Sequence, residues 1–428
     1  MRAGDSCRVV RHRQTRGVPL TASKTSVPEK AAHRPAGTAR EVLGAFLKLG
    51  LTSFGGPIAH LGYFRNELVV RRKWVDEAGY ADLVALCQFL PGPASSKVGF
   101  ALGLLRAGPL GALAAWAAFT LPSAFLLVAF ASAAAAFDGP AGAGLLHGLK
   151  LVAAAVVAQA VWGMARSLAP DRPRASIAVA AILVVVFLGG AFGQIAAIAM
   201  GCLAGLLLCR DGASIATGHL AFQVSRRTGA LCLVLFFGLL VLLPIVSAVT
   251  GWQALLLIDA FYRSGSLVFG GGHVVLPLLQ AETVAPGWVS EGAFLAGYGA
   301  AQAIPGPLFT FAAYLGTVME PEPNGFLGAA IALVAIFLPG FLLLAGALPF
   351  WNALRRRPLA QAAMRGANAA VVGILAAALY SPVWTGAVLN AYDFAIAATG
   401  FVLFTVWKAP PWSVVLLTAI AGTIMSLL

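Results

Sequence analysis

Charge is scarce in this sequence: only 11% of its 428 residues are Asp, Glu, Lys or Arg, and the acids number 16. An ordinary soluble domain carries about 25% charged residues. With 60% apolar residues and a mean hydropathy of +0.86, no water-soluble fold could cover its own surface. Cysteine is scarce too, and Cys7, Cys87, Cys202, Cys209 and Cys232 form no C-x-x-C pair, which leaves out a zinc site and a disulfide framework. No H-E-x-x-H, G-x-S-x-G or G-x-x-x-x-G-K-[ST] run occurs, so zinc-hydrolase, serine-hydrolase and P-loop chemistry lack their residues. No cofactor and no metal are expected.

Long apolar runs are abundant instead. Leu110 to Ala136, Gly229 to Val249 and Phe326 to Phe350 can each cross a hydrocarbon core of about 30 Å as a helix, whereas barrel strands would be shorter and alternating. The expected fold class is an all-α integral membrane protein. Its net charge of +13 follows topology: the first 41 residues hold nine Lys or Arg against three acids, and other cations cluster in short loops, the positive-inside pattern. No compact basic fold with base-stacking aromatics is present, so no nucleic acid is expected as a partner. Residues 1–40 are polar and basic without an apolar h-region, and read as a disordered cytoplasmic tail.

The chain then repeats itself. Phe54-Gly55-Gly56-Pro57 returns as Phe269-Gly270-Gly271-Gly272, and Trp74-Val75-Asp76-Glu77 as Trp288-Val289-Ser290-Glu291. Gln88, Pro91, Gly92 and Pro93 return as Gln302, Pro305, Gly306 and Pro307; Phe119-Thr120-Leu121-Pro122 pairs with Ile336-Phe337-Leu338-Pro339, and Gly148 with Gly366. Anchors in one order imply a duplication: a first repeat over 41–210, a linker with one transmembrane helix over 211–254, and a second repeat over 255–428. If the segments around Phe54 and Pro91 enter the membrane and return, Arg65, Arg71, Arg72, Lys73 and Arg106 all stay on the side of the basic tail. The linker helix then starts the second copy from the opposite face, where Glu282, Glu291, Glu320 and Glu322 lie. Two inverted-topology repeats with broken or re-entrant helices follow, with about nine to thirteen membrane segments.

The breaks are where chemistry is expected. Pro-Gly-Pro removes two backbone donors and disfavours a continuous helix by ~3 kcal/mol per interior proline. At membrane depth such a break is tolerated where protein or a water-filled cavity satisfies the backbone, and the half-helix after it offers free N–H groups to an anion. Paired interruptions in two inverted halves point to a transporter binding site, although glycine kinks also serve close helix packing. The candidate substrate-binding residues are Ser53, Gly55, Gly56, Pro57, Gln88, Pro91, Gly92, Pro93, Ser95, Ser96 and Lys97 in the first half. In the second half they are Gly270, Gly271, Gly272, His273, Gln302, Pro305, Gly306, Pro307 and Thr310. Lys97 reads either as a cation facing a cavity or as one snorkelling to the interface; Gln88 and Gln302 either bind substrate or satisfy the broken backbone. His60 reads as a packed or interfacial residue rather than a proton carrier, Lys48 as snorkelling, and Asp259 with Arg263 as an i,i+4 ion pair.

With these motifs the sequence resembles the long-chain chromate transporter family. The likeness is carried by FGGP at Phe54 with His60 after it, QFLPGPASSK from Gln88 to Lys97, FGGG at Phe269 and QAIPGP at Gln302, and spans Glu41 to Leu428. It implies a bacterial inner-membrane carrier that expels chromate and confers chromate resistance, while the basic tail puts the N-terminus in the cytoplasm. Its partners would be chromate or a related oxyanion and the lipid bilayer, with a homodimer as one assembly it allows. Sulfate or molybdate remains an alternative cargo, and an integral-membrane enzyme a more distant reading.

Overall fold

The structure is a computed structural model that describes residues 37–134, 139–210, 224–354 and 357–428. Among them there are helices and no strand. The expected tail lies outside the described residues as far as 36, as do Cys7, Asp138, Arg355 and Arg356. From Gly37 on, the chain belongs to the fold. The Gly37 amide donates to the Arg106 carbonyl at 2.9 Å, and the Thr38 hydroxyl accepts from the Glu41 amide at 3.2 Å, capping the first helix.

The first half runs through α1 (Ala39–Thr52), α2 (Gly56–Phe64), α3 (Glu77–Phe89), α4 (Ala94–Ala134), α5 (Gly139–Leu168), α6 (Arg172–Leu188) and α7 (Gly190–Leu208), and α8 (Arg226–Thr250) links it onward. The second half repeats the order as α9 (Gln253–Leu267), α10 (Val275–Thr283), α11 (Glu291–Ala303), α12 (Phe311–Val318), α13 (Gly325–Ala347), α14 (Trp351–Leu354), α15 (Pro358–Ala378), α16 (Thr385–Ala387), α17 (Ala391–Thr405) and α18 (Pro411–Leu427). The match extends to caps: the Asp76 carboxylate accepts from the Gly79 amide at 2.8 Å at the start of α3, and the Ser290 hydroxyl from the Ala293 amide at 3.3 Å at the start of α11. Among the described residues six helical segments, Ala94–Ala134, Gly139–Leu168, Gly190–Leu208, Arg226–Thr250, Gly325–Phe350 and Pro358–Ala387, are long and apolar enough to cross a membrane. Helices α6, α17 and α18 are shorter, at 17, 15 and 17 residues.

Helix α4 is two arms rather than one rod. Ala107 and Gly108 leave helical geometry, Gly108 at φ +66°, and a Cβ on Gly103 would strike the Gly111 carbonyl. The chain therefore doubles back, which fits the re-entrant reading. Arg72 and Arg106 confirm where it returns: their guanidinium carbons stand 5.8 and 5.6 Å from the same Trp74 ring. Glu41 accepts from Trp74 Nε1 at 3.1 Å and pairs with Arg106 at 3.1 Å. The excursion through α3 and the first arm of α4 thus begins and ends in one place, at Trp74 with Arg72 and Arg106.

Two further relations tie the halves. Lys48 does not snorkel but pairs with Glu67 at 3.0 Å, and at the matching positions Arg263 pairs with Glu282 at 2.9 Å while also holding Asp259 at 2.9 Å. The Gly92 amide donates to the Val268 carbonyl at 2.7 Å, and the Gly306 amide donates to the Ser53 carbonyl at 2.9 Å. Each Pro-Gly-Pro glycine bonds the residue before the other half's Phe-Gly-Gly, and both glycines sit at φ +102°. Reciprocal contacts of this kind are what two-fold related surfaces make. The halves also interlock: α5 packs on α17 and α18, and α15 on α6 and α7. Glycines allow that approach, since a Cβ on Gly148 would strike the Thr418 carbonyl, and one on Gly366 the Gly201 carbonyl.

Candidate functional site

Three broken-helix starts meet at one cavity of about 560 Å³. Gly55 and Gly56 bring the start of α2, His273 the short turn ahead of α10, and Gly306 with Leu308 the turn ahead of α12. Gly55 has φ +98°, and no side chain caps α2, so its first amides keep their donors free of helix partners. The starts touch each other: a Cβ on Gly272 would lie 3.2 Å from Pro57 Cγ and 3.8 Å from Leu308 Cδ2. A concave site lined by helix N-termini favours negative charge.

The opposite wall comes from α5 and the α17–α18 connection. Val156, Gln159, Trp162, Gly163 and Arg166 line it from α5, and Phe404, Thr405, Lys408 and Pro411 from the other side. Val156 is buried, whereas Arg166 and Lys408 are exposed, so the two cations stand toward the open end. Arg166 lies over the Trp162 ring at 5.3 Å, which fixes its heading. Sequence reasoning singled out neither Arg166 nor Lys408 as a site residue. The signal that could have found them is a lone cation at the C-terminal end of a helix in each half.

The remaining candidates divide clearly. Gln302 lines the cavity, and its Nε2 lies 3.4 Å from the Tyr298 carbonyl. His273 Nδ1 lies 2.7 Å from the Tyr298 hydroxyl. Gly270 and Gly271 flank the site against Met164, with Asn368 Oδ1 near Gly270; Pro305 and Pro307 bracket Gly306. The first-half Pro91-Gly92-Pro93 is instead packed away from the cavity, with Gly92 and Pro93 against Gly340. Ser53, Ser95, Ser96 and Thr310 are buried, and the Thr310 hydroxyl donates to the Pro307 carbonyl at 2.7 Å. Lys97 is fully buried and donates to the carbonyls of Leu90 at 2.6 Å and Pro91 at 2.9 Å. Gln88 is exposed on the outside of α3. The cavity therefore draws on Gly55 and Gly56 of the first Phe-Gly-Gly, on His273 just after the second, and on Pro-Gly-Pro from the second half alone.

Comparison with known proteins agrees with this architecture. The family described as "Chromate transporter" matches residues 40–206 and 255–423. A "Probable chromate transport protein" of Synechococcus elongatus is 30% identical over 414 residues, 91% of this chain and 96% of that protein. A "Chromate transport protein" of Pseudomonas aeruginosa is 30% identical over 344 residues, 79% of each chain. An uncharacterized transporter of Methanocaldococcus jannaschii is 26% identical over 83% of this chain and 87% of its own length. No solved structure matches.

Proposed function

This chain belongs to the chromate transporter family, and from that premise we propose that it carries chromate or a closely related oxyanion out across the bacterial inner membrane by alternating access. The observation that supports this best is the single cavity where three uncapped backbone turns face Arg166 and Lys408. The uncapped amides at the start of α2 and two cations suit a dianion, and among the described residues no carboxylate, serine or cysteine lines the cavity beside them.

The two repeats, 41–210 and 255–428, are proposed to be inverted copies, with the axis relating them in the membrane plane. On that topology Arg166, in the basic connection that leads to Arg172 and Arg174, is cytoplasmic. The cavity then opens inward, ready to load substrate from the cytoplasm. Arg365 Nε donates to the Cys209 carbonyl at 3.0 Å, which brings the start of α15 to the end of α7, on the same basic face.

Energetics favour the outward direction. Each elementary charge crossing the membrane exchanges ~2.3 kcal/mol per 100 mV, so a dianion leaving a negative interior gains about 4.6 kcal/mol. That sustains a roughly thousandfold gradient without ATP, with proton exchange as an added coupling, and it would confer chromate resistance on the cell. The test is chromate flux in proteoliposomes with an imposed potential, with sulfate as competitor. Flux should rise with a potential that drives anions in the assayed direction; potential-independent flux rules out the mechanism, and absence of chromate flux rules out the cargo.

A further inference from the structure

Beside the cavity lies a second polar group that the transport path above does not use. Ser53, His60, Ser95, Ser96 and Thr120 are all buried, none more than 3% exposed. Ser53 Oγ, Ser96 Oγ and Thr120 Oγ1 have no hydrogen-bond partner among the described residues, and His60 Nε2 has no side-chain partner, only the Ser53 backbone beside the ring. His60 Nδ1 lies 3.3 Å from Ser95 Oγ, and its ring meets Phe119 edge-on at 5.4 Å, next to Thr120. The arms of α4 run antiparallel, with Gly103 against Gly111 and Ala115, which sets Ser96 level with Thr120. Gly306 joins this group to the cavity: it lines the cavity, its amide bonds the Ser53 carbonyl, and a Cβ on it would strike Ser123 Oγ.

The second half is an internal control. Val268, Val275, Phe309 and Phe337 stand there in place of Ser53, His60, Ser95 and Thr120, and all four are buried. Ser96 alone has a polar counterpart, Thr310, and that hydroxyl is satisfied by Pro307. Apolar residues therefore solve the same packing problem, and the fold does not require the polar set. Unsatisfied polar atoms in an apolar interior cost free energy, and intramembrane ionisable groups mark ion or proton paths.

The chemistry selects the ligand. Hydroxyls and an imidazole offer no fixed positive charge to a dianion, and Lys97 turns its ammonium to the Leu90 and Pro91 carbonyls. Other charged or titratable groups packed around α2 are engaged elsewhere: Arg65 with Glu77, Glu67 with Lys48, Arg71 and Arg72, Arg106 with Glu41, and the Tyr80 hydroxyl with the Leu61 carbonyl. Cys87 is buried on α3. We propose that His60 carries the proton of a proton–oxyanion exchange, accepting it on Nε2, with the Ser53, Ser96 and Thr120 hydroxyls as the relay toward the cavity at Gly306. The imidazole becomes imidazolium on one face of the membrane and returns to neutral on the other, so nothing is consumed.

The proposal rests on the transport reading, and one experiment separates the two. Wild type and His60→Val, which installs the second-half residue, are reconstituted with an internal pH dye and assayed for chromate flux under a potential alone and under a pH gradient at zero potential. Wild type should move chromate under both drives with a counterflow of protons. His60→Val should keep the potential-driven flux and lose the proton counterflow and the response to the pH gradient; His60→Gln provides the same readout if the valine variant does not fold. Absence of wild-type chromate flux overturns the transport reading itself. Wild-type flux without proton counterflow, or counterflow that survives in the variant, overturns the assignment of His60. Loss of flux under both drives in a variant that melts like wild type places the imidazole on the anion path and also overturns it.

Discussion

Lys97 Nζ donates to the Leu90 carbonyl at 2.6 Å, closing the end of α3 from the start of α4. A second bond reaches the Pro91 carbonyl at 2.9 Å, so the ammonium satisfies acceptors that the break in the chain would otherwise leave bare. Lys97→Met should therefore lower stability by ~1–3 kcal/mol, read as a lower melting temperature in detergent. KM for chromate should stay near wild type, because the side chain is walled off from the cavity.

Arg166 and Lys408 should behave in the opposite way. Arg166→Gln and Lys408→Gln leave the core intact and remove charge at the cavity's open end. Each should raise KM for chromate about tenfold, the loss of ~1.5 kcal/mol from one charge-assisted contact. Rising ionic strength should weaken uptake by wild type more than by the double variant, since exposed charges are screened.

Gly306→Ala should damage the protein where Gly62→Ala does not. Gly306 holds φ +102° and faces the Phe119 carbonyl at 3.2 Å from a would-be Cβ, so alanine costs at least ~1–2 kcal/mol in backbone strain alone. Gly62 lies within α2 with open space around it, and alanine there should gain ~0.5–1 kcal/mol. Melting temperatures of the two variants should move in opposite directions.

Glu67 sets a pH dependence on the basic face. Burial pushes its carboxyl up, but hydrogen bonds from Lys48 and Arg72 and the charges of Lys48 and Arg71 outweigh this and hold it down to about 2. A carboxyl depressed in the folded state adds stability above its unfolded value of 4.5, and that stability is lost as pH falls toward about 2. Glu67→Gln should thus melt below wild type at neutral pH, with the gap closing through this acidic window.

Sidedness is open to direct labelling. In a background free of native cysteines, Thr405→Cys in the cavity wall should react with a membrane-impermeant thiol reagent applied from the cytoplasmic side. Chromate should slow the reaction. Labelling from the periplasmic side alone would reverse the proposed orientation.

Much of the architecture was legible because backbone rules write themselves into sequence. Gly55, Gly92, Gly270 and Gly306 all hold positive φ, a conformation that leaves glycine in the sequence at each break, and Asp76 and Ser290 mark helix starts by cap chemistry alone. Packing register was not legible. The sequence could not say that Gln88 faces outward while Gln302 faces the cavity, since the two differ in what their helices lean on rather than in local pattern. Arg166 and Lys408 meet only because helices from different halves cross. The pair Lys48 and Glu67 was readable in hindsight from its copy, Arg263 and Glu282, but an isolated lysine near a helix end gives no hint of its partner. One helix start was also misjudged: α1 begins at Ala39, within the segment expected to be tail.

The interlocking of α5 with α18 and of α15 with α7 reaches beyond this chain. Neither repeat closes its own interior, because each lends a central helix to its sibling and borrows one back. A gene that encoded a single such unit could fold only by pairing with a second polypeptide that supplies the missing helix. Severing the linker at α8 should accordingly leave two fragments that are insoluble apart and reassemble when made together.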